Sequence, residues 1–167
     1  NEKGKVTWEQ GFDETCLRIH GGVDPRSTPL FEEGKWISQD EGSQTIVHSM
    51  GIPAGARVLD YCAGTGTKTT QILDAVGPGG TVVACDIKES KLKKLKALCD
   101  RWGHQVEVRK IDGRKDEEWK PEPFDYVLVD APCSGTGTLR RHPELRLRLN
   151  QHSIEAIGEV QRQVLAR

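Results

Sequence analysis

The chain has 167 residues, with 24 Lys and Arg against 25 Asp and Glu and a formal charge of −1. That is enough for one domain with a core of its own but too little for two, and too balanced to bind nucleic acid through bulk charge, so any basic surface must be local. No run of about 18 apolar residues is present, nothing apolar follows the start N-E-K-G-K, and the five cysteines, Cys16, Cys62, Cys85, Cys99 and Cys133, are odd in number and lack C-x-x-C spacing; a soluble, cytoplasmic chain is expected, with no membrane, metal or disulfide framework.

Residues 1–30 carry Gly4, Gly11, Gly21, Gly22, Pro25 and Pro29 between short pieces such as Lys5–Trp8 and Cys16–Ile19. They predict a small lobe of short strands, or the remnant of one, ahead of a domain spanning 31–167. Gln44–Met50 predicts a short helix with Ser43 as N-cap and Ile46, Val47 and Met50 on its apolar face.

The stretch from Arg57 to Lys68 reads R-V-L-D-Y-C-A-G-T-G-T-K, and helical spacing resumes over Thr69–Val76. Strand, glycine turn and helix follow one another, and Gly64 and Gly66 allow a sharp turn and close backbone approach to a ligand. A dinucleotide fingerprint would need glycine where the chain has Thr69, and a P-loop would need G-K-[ST] after four intervening residues. The acidic, glycine-rich turn instead resembles the one by which class I methyltransferases hold S-adenosylmethionine.

Beyond it, Thr81–Cys85, Val106–Ile111 and Phe124–Val129 predict further strands, the last a near-continuous apolar run of the kind covered on both faces. Lys88–Trp102 predicts a helix with Leu92, Leu95, Leu98 and Cys99 inward and its lysines in solvent, and Ser153–Arg167 a helix whose stripe Ile154, Ile157, Val160, Val164 and Leu165 should cover the sheet. The alternation argues for an α/β fold with an open, mainly parallel sheet. Four strands then end on Asp60, Asp86, Asp112 and Asp130 at one carboxyl edge, where doubly wound sheets bind ligands. An acid after the second strand can accept both ribose hydroxyls, one after the third an adenine amino group, and an acidic pocket suits a sulfonium.

From Asp130 the chain reads D-A-P-C-S-G-T-G-T-L-R-R-H-P-E-L. Pro132 ends the strand and holds Cys133 at the rim of the pocket, a candidate for thiolate chemistry, whereas Cys85 and Cys99 suit packing. Arg140, Arg141, Arg146 and Arg148 form the one concentrated basic stretch, which reads equally as RNA phosphate contacts or as a plain solvated surface.

Together W-I-S-Q-D-E-G-S-Q at 36–44, D-Y-C-A-G-T-G-T-K-T at 60–69, the aspartates at 86 and 112, and D-A-P-C-S-G-T-G at 130–137 with the following R-R-H-P-E resemble the Sun-type (Nop/Sun, RsmB-like) RNA (cytosine-5) methyltransferases. The resemblance spans residues 30 to 167 and implies a class I methyltransferase sheet, incomplete at the C-terminus, with ribosomal RNA as partner. It implies that S-adenosylmethionine is bound by Cys62, Ala63, Gly64, Thr65, Gly66, Thr67 and Lys68, joined by Asp86, Asp112 and Asp130. Asp130 would hold the cytosine by its ring nitrogen and amino edge, becoming a donor if protonated as buried carboxyls can be, Lys68 would orient both, and Cys133 would assist release of the product. Two departures stand out. The family's usual C-A-A-P-G-G-K is C-A-G-T-G-T-K here, and the family's nucleophile, a cysteine of a later Thr-Cys motif, has no counterpart, since no Cys follows Cys133. The chain thus reads as ended inside its domain, and two alternatives stay open: a cofactor- or RNA-binding module incomplete for catalysis, or a DNA cytosine methyltransferase in which Cys133 is itself the nucleophile.

Overall fold

The computed structural model describes residues 7–21, 24–115 and 119–167, so Gly4, Lys5 and Gly22 of the expected N-terminal segment lie outside the described residues. Strands β1 (Thr7–Gln10) and β2 (Leu17–His20) pair antiparallel as a separate hairpin. Asp13 closes the turn through Thr15, and Arg18 of β2 forks onto the carboxylate of Glu41 with two bonds of 2.8 Å.

Four parallel strands follow, β3 (Arg57–Asp60), β4 (Thr81–Asp86), β5 (Glu107–Lys110) and β6 (Tyr126–Leu128), in the order β5-β4-β3-β6. The helices are α1 (Pro29–Glu32), α2 (Glu41–Ser49), α3 (Thr67–Val76), α4 (Glu89–Arg101) and α5 (Gln151–Leu165). Because side chains alternate along a strand, Val58 and Leu59 serve opposite faces. Val58, Val82, Ala84 and Leu128 meet Val47 of α2, Ile72, Leu73 and Val76 of α3, and Leu95 and Cys99 of α4. Leu59, Val83, Cys85 and Ile111 form a smaller cluster on the other face with Tyr61, Trp119 and Phe124. Fully buried side chains such as Ile72 and Leu95 each contribute about 1.5–3 kcal/mol of transfer free energy, so the α3/α4 face anchors the sheet.

Three expectations are corrected. Helix α2 starts at Glu41, not Gln44, because the extended Asp40 caps it by accepting from the Gly42 amide, leaving Ser43 inside the first turn; Ile46 is exposed, so Val47 and Met50 alone form the apolar face. Strand β6 is shorter than Phe124–Val129, and Val127 is 50% exposed, so this strand is not covered on both faces. Helix α5 begins earlier than Ser153, since Asn150 and Ser153 form a reciprocal capping box, and it reaches the core only at Val164; Ile154 and Leu165 stay exposed, so it does not blanket the sheet.

Candidate active site

The strand order steps outward from β3 through β4 to β5 and then returns to β6 on the other side. Loops leaving β3 and β6 therefore diverge and open a crevice at the carboxyl ends. The glycine turn after β3 is laced to its neighbours: the Tyr61 amide donates to Leu128 O at 2.9 Å and the Ala63 amide to Cys85 O at 2.8 Å. Gly64 and Gly66 both take positive φ, 60° and 95°. A Cβ on Gly66 would lie 2.6 Å from Leu95 Cγ, so glycine there lets α3 start hard against α4, whereas one on Gly64 would find nothing nearer than Cys62 O at 4.0 Å. The backbone at Gly64 is thus open to a ligand.

Aspartates line this edge, each differently held. Asp86, 7% exposed, accepts from the amides of Gly64 (3.1 Å, Oδ2) and Lys88 (2.8 Å, Oδ1), with Lys91 Nζ at 3.4 Å, so it clamps the glycine turn to the start of α4. Asp112 receives the Arg114 fork, Nε to Oδ1 and Nη2 to Oδ2 at 2.8 Å each, and that guanidinium holds its carboxyl well below the usual range. Asp130 is joined to Lys68 Nζ at 2.6 Å, which ties the glycine turn to the loop after β6 across the strand switch. Its side chain is 48% exposed.

The most deeply buried of these acids is Asp60, 1% exposed, whose Oδ2 accepts from Thr69 Oγ1 at 2.7 Å in the first turn of α3. Burial, reinforced by the charges of Asp130 and Asp86 and opposed by the Thr69 hydrogen bond and Lys68, raises its pKa to about 6. Sequence reasoning counted Asp60 among the strand-end aspartates without giving it a site role; the available signal was a carboxylate closing the apolar run R-V-L-D, one turn-length from a threonine opening a helix. Burial and then Asp60, Asp86 and Asp130 push the Cys62 thiol up to about 11, so it stays protonated. Three carboxylates against Lys68 and Lys91 leave the edge net negative, which fits a sulfonium cation over the open Gly64 backbone.

Cys133 is exposed on the loop after β6, as its place at a rim requires, and Gln161 Nε2 of α5 fixes that loop by donating to Pro132 O at 2.9 Å. Cys85 and Cys99 are buried with their thiols pushed up to about 12 and 11 by burial, in keeping with packing. Arg140, Arg141, Arg146 and Arg148 are all exposed. Arg141 is taken by Asp40, the α2 cap, which sequence reasoning did not find; the other three have no carboxylate at salt-bridge distance among the described residues. Two cavities lie elsewhere, one of about 860 Å³ at the amino ends of the strands beside Arg57, Asp74, His104 and Glu107, and one of about 580 Å³ beside Tyr61, Trp119, Phe124 and Val127. None of the four strand-end aspartates lines either of them.

A family model described as 16S rRNA methyltransferase RsmB/F matches residues 50–167. The chain belongs to the RsmB/F family. The small-subunit ribosomal RNA methyltransferase B of Klebsiella pneumoniae subsp. pneumoniae is 40% identical over 167 residues, covering 99% of this chain and 38% of that protein. Among solved structures similar to it, PH0851 superposes with a TM-score of 0.87 at 32% identity over 96% of this chain and 37% of that one, and NSun6 from Pyrococcus horikoshii with 0.75 at 27% identity over 87% and 37%. The chain therefore spans under two fifths of the length of each of these proteins. Membership brings S-adenosylmethionine as the cofactor, in agreement with the glycine turn, and the α/β class I sheet of the RsmB/F family is the one observed.

Proposed function

We propose that this chain supplies the cofactor- and base-holding part of a methyl transfer from S-adenosylmethionine to carbon 5 of cytosine in ribosomal RNA. The observation that carries the proposal is the Lys68–Asp130 pair, which locks the glycine turn to the loop bearing Cys133 across the strand switch. Carbon 5 of cytosine is a poor nucleophile until a thiolate adds to carbon 6 and places electron density on it. The cofactor supplies the electrophilic methyl group. In this reading residues 62–68 cradle the cofactor, Asp86 and Asp112 address its ribose and adenine, and Asp130 holds the flipped cytosine by its ring nitrogen and amino edge. Lys68 keeps the Asp130 carboxylate turned toward that base, and Cys133 assists departure of the methylated RNA. Arg140, Arg146 and Arg148 contact phosphates next to the entering base.

No cysteine follows Cys133, so the chain by itself is read as a module that binds and positions without completing catalysis, and this reading is favoured over turnover by Cys133 alone. Titration calorimetry with S-adenosylmethionine and a labelled-methyl assay on ribosomal RNA test it together. Cofactor binding without methyl transfer is the expected result. No binding would overturn the cofactor site, and turnover abolished by Cys133→Ser would assign the nucleophile to Cys133 as in the DNA-type arrangement.

A further inference from the structure

The lower wall of the crevice holds a group that the proposed chemistry does not use. Asp60 ends β3 directly beneath the glycine turn, is 1% exposed, and among the described residues has one hydrogen-bond partner, the Thr69 hydroxyl at 2.7 Å. A carboxylate with a single neutral donor in a site sealed from water is poorly compensated. Charged groups face it from each neighbouring element. Lys68 comes from α3, but its ammonium is spent on Asp130; Asp86, at the end of β4, and Asp130, beyond β6, add like charge; Cys62, on the turn itself, stays a neutral thiol. Lys91 of α4 is directed at Asp86 rather than at Asp60. Thr69 can serve either state, because its hydroxyl donates to a carboxylate or to the carbonyl oxygen of a carboxylic acid. Asp60 therefore keeps its proton well above the ordinary aspartate range, up to a midpoint of about 6.

A net-positive ligand reverses this balance. The sulfonium lies over the strand ends on the reading given above, on which this inference rests, above the buried Asp60. There a unit charge several ångströms away is felt far more strongly than in water. We propose that Asp60 gives up its proton when S-adenosylmethionine binds, so that cofactor capture and ionisation of this buried carboxyl are one linked event. The O–H bond of the carboxyl breaks, the proton passes to bulk solvent, and the negative charge left on Asp60 offsets the incoming sulfonium. The demethylated product lacks the sulfonium charge, so the same step is weaker with it. At or below its midpoint of about 6, Asp60 regains a proton after methyl transfer as its counter-charge disappears, which favours exchange of product for fresh cofactor.

Calorimetry in buffers of different ionisation enthalpy reads the linkage directly. With an ionisation midpoint near 6 in the free chain, about half a proton should be released per cofactor at about pH 6, with affinity falling about tenfold between about pH 7.5 and about pH 5. Asp60→Asn, which keeps the acceptor for Thr69, should abolish the release at pH near 6 and flatten the affinity profile, and the demethylated product should release less than the cofactor. In the wild-type chain, carbon-detected NMR titration of the Asp60 carboxyl should show its midpoint moving down on addition of cofactor, a readout that needs no variant. Binding with equal proton release in wild type and Asp60→Asn, or an Asp60 midpoint unmoved by cofactor, would overturn the linkage while leaving the cofactor site intact. No heat of binding at any pH would overturn the cofactor site and the linkage with it.

Discussion

Asp60 and Asp86 are one strand apart, yet chemistry separates them. Asp60 is ionised in the folded chain at a cost, since its pKa is raised from 3.8 to about 6 by burial first and by Asp130 and Asp86 after it. A raised folded pKa contributes stability that is fully present below the unfolded value and is lost as pH rises through the folded one, here up to about 3 kcal/mol between about pH 4 and about pH 7. Chemical denaturation should therefore show Asp60→Asn gaining on the wild type across that window, and a constant difference would mean that Asp60 ionises normally. Asp86 is the opposite case, a carboxylate satisfied by two amides. Asp86→Ala should weaken cofactor binding by about 1–3 kcal/mol, partly through the loosened Gly64 amide, and unchanged affinity in calorimetry would remove Asp86 from the site.

At the level of elements, the glycine turn works because α3 can begin where it does. Gly66 has φ 95° and its Hα side faces Leu95, whose Cγ and Cα would lie 2.6 and 3.1 Å from an added Cβ. Gly66→Ala should cost about 1–3 kcal/mol in unfolding experiments, from the left-handed backbone and from the displacement of α4 together. Cofactor affinity should fall with it, because the turn is held by the start of α3; full stability in the variant would show that the α3–α4 contact yields easily. The hydrophobic spacing made α3 and α4 legible as helices, since Leu92, Leu95 and Cys99 recur on one face. It misplaced the start of α2, because Asp40 and Ser43 are both good caps and only the local backbone chooses between them. It also overstated the cover given by α5, because a stripe records which side is apolar and not what lies opposite.

Across the whole molecule, the near-neutral charge leaves RNA contact to local groups, and the arginines after β6 divide into two kinds. Arg141 joins Asp40 at the cap of α2 and so braces the loop bearing Asp130 and Cys133, whereas Arg140, Arg146 and Arg148 are unpaired among the described residues. Replacing Arg140, Arg146 or Arg148 by alanine should flatten the salt dependence of RNA binding by about 0.7 per contact for a single strand, at unchanged cofactor affinity. Arg141→Ala should instead act with Asp40→Ala, loosening residues 130–141 in hydrogen exchange while barely moving that slope. An equal slope change for all four arginines would make Arg141 a phosphate ligand like the rest.

Strand-end aspartates, the glycine turn and the D-A-P-C-S-G stretch were fixed by local sequence, because backbone geometry at glycine and proline and the alternation of apolar residues are properties of a few neighbouring positions. Which carboxylate is buried was settled only by tertiary structure. Asp60 and Asp130 each close an apolar run, but β3 is paired on both sides while β6 is paired in this sheet with β3 alone, so one acid is sealed under the turn and the other remains half exposed. The partners Lys68–Asp130, Arg141–Asp40 and Gln161–Pro132 join residues far apart in the chain. Side-chain reach across packed elements has no periodicity in the sequence, so these pairings emerge only when the sheet brings the loops to one edge.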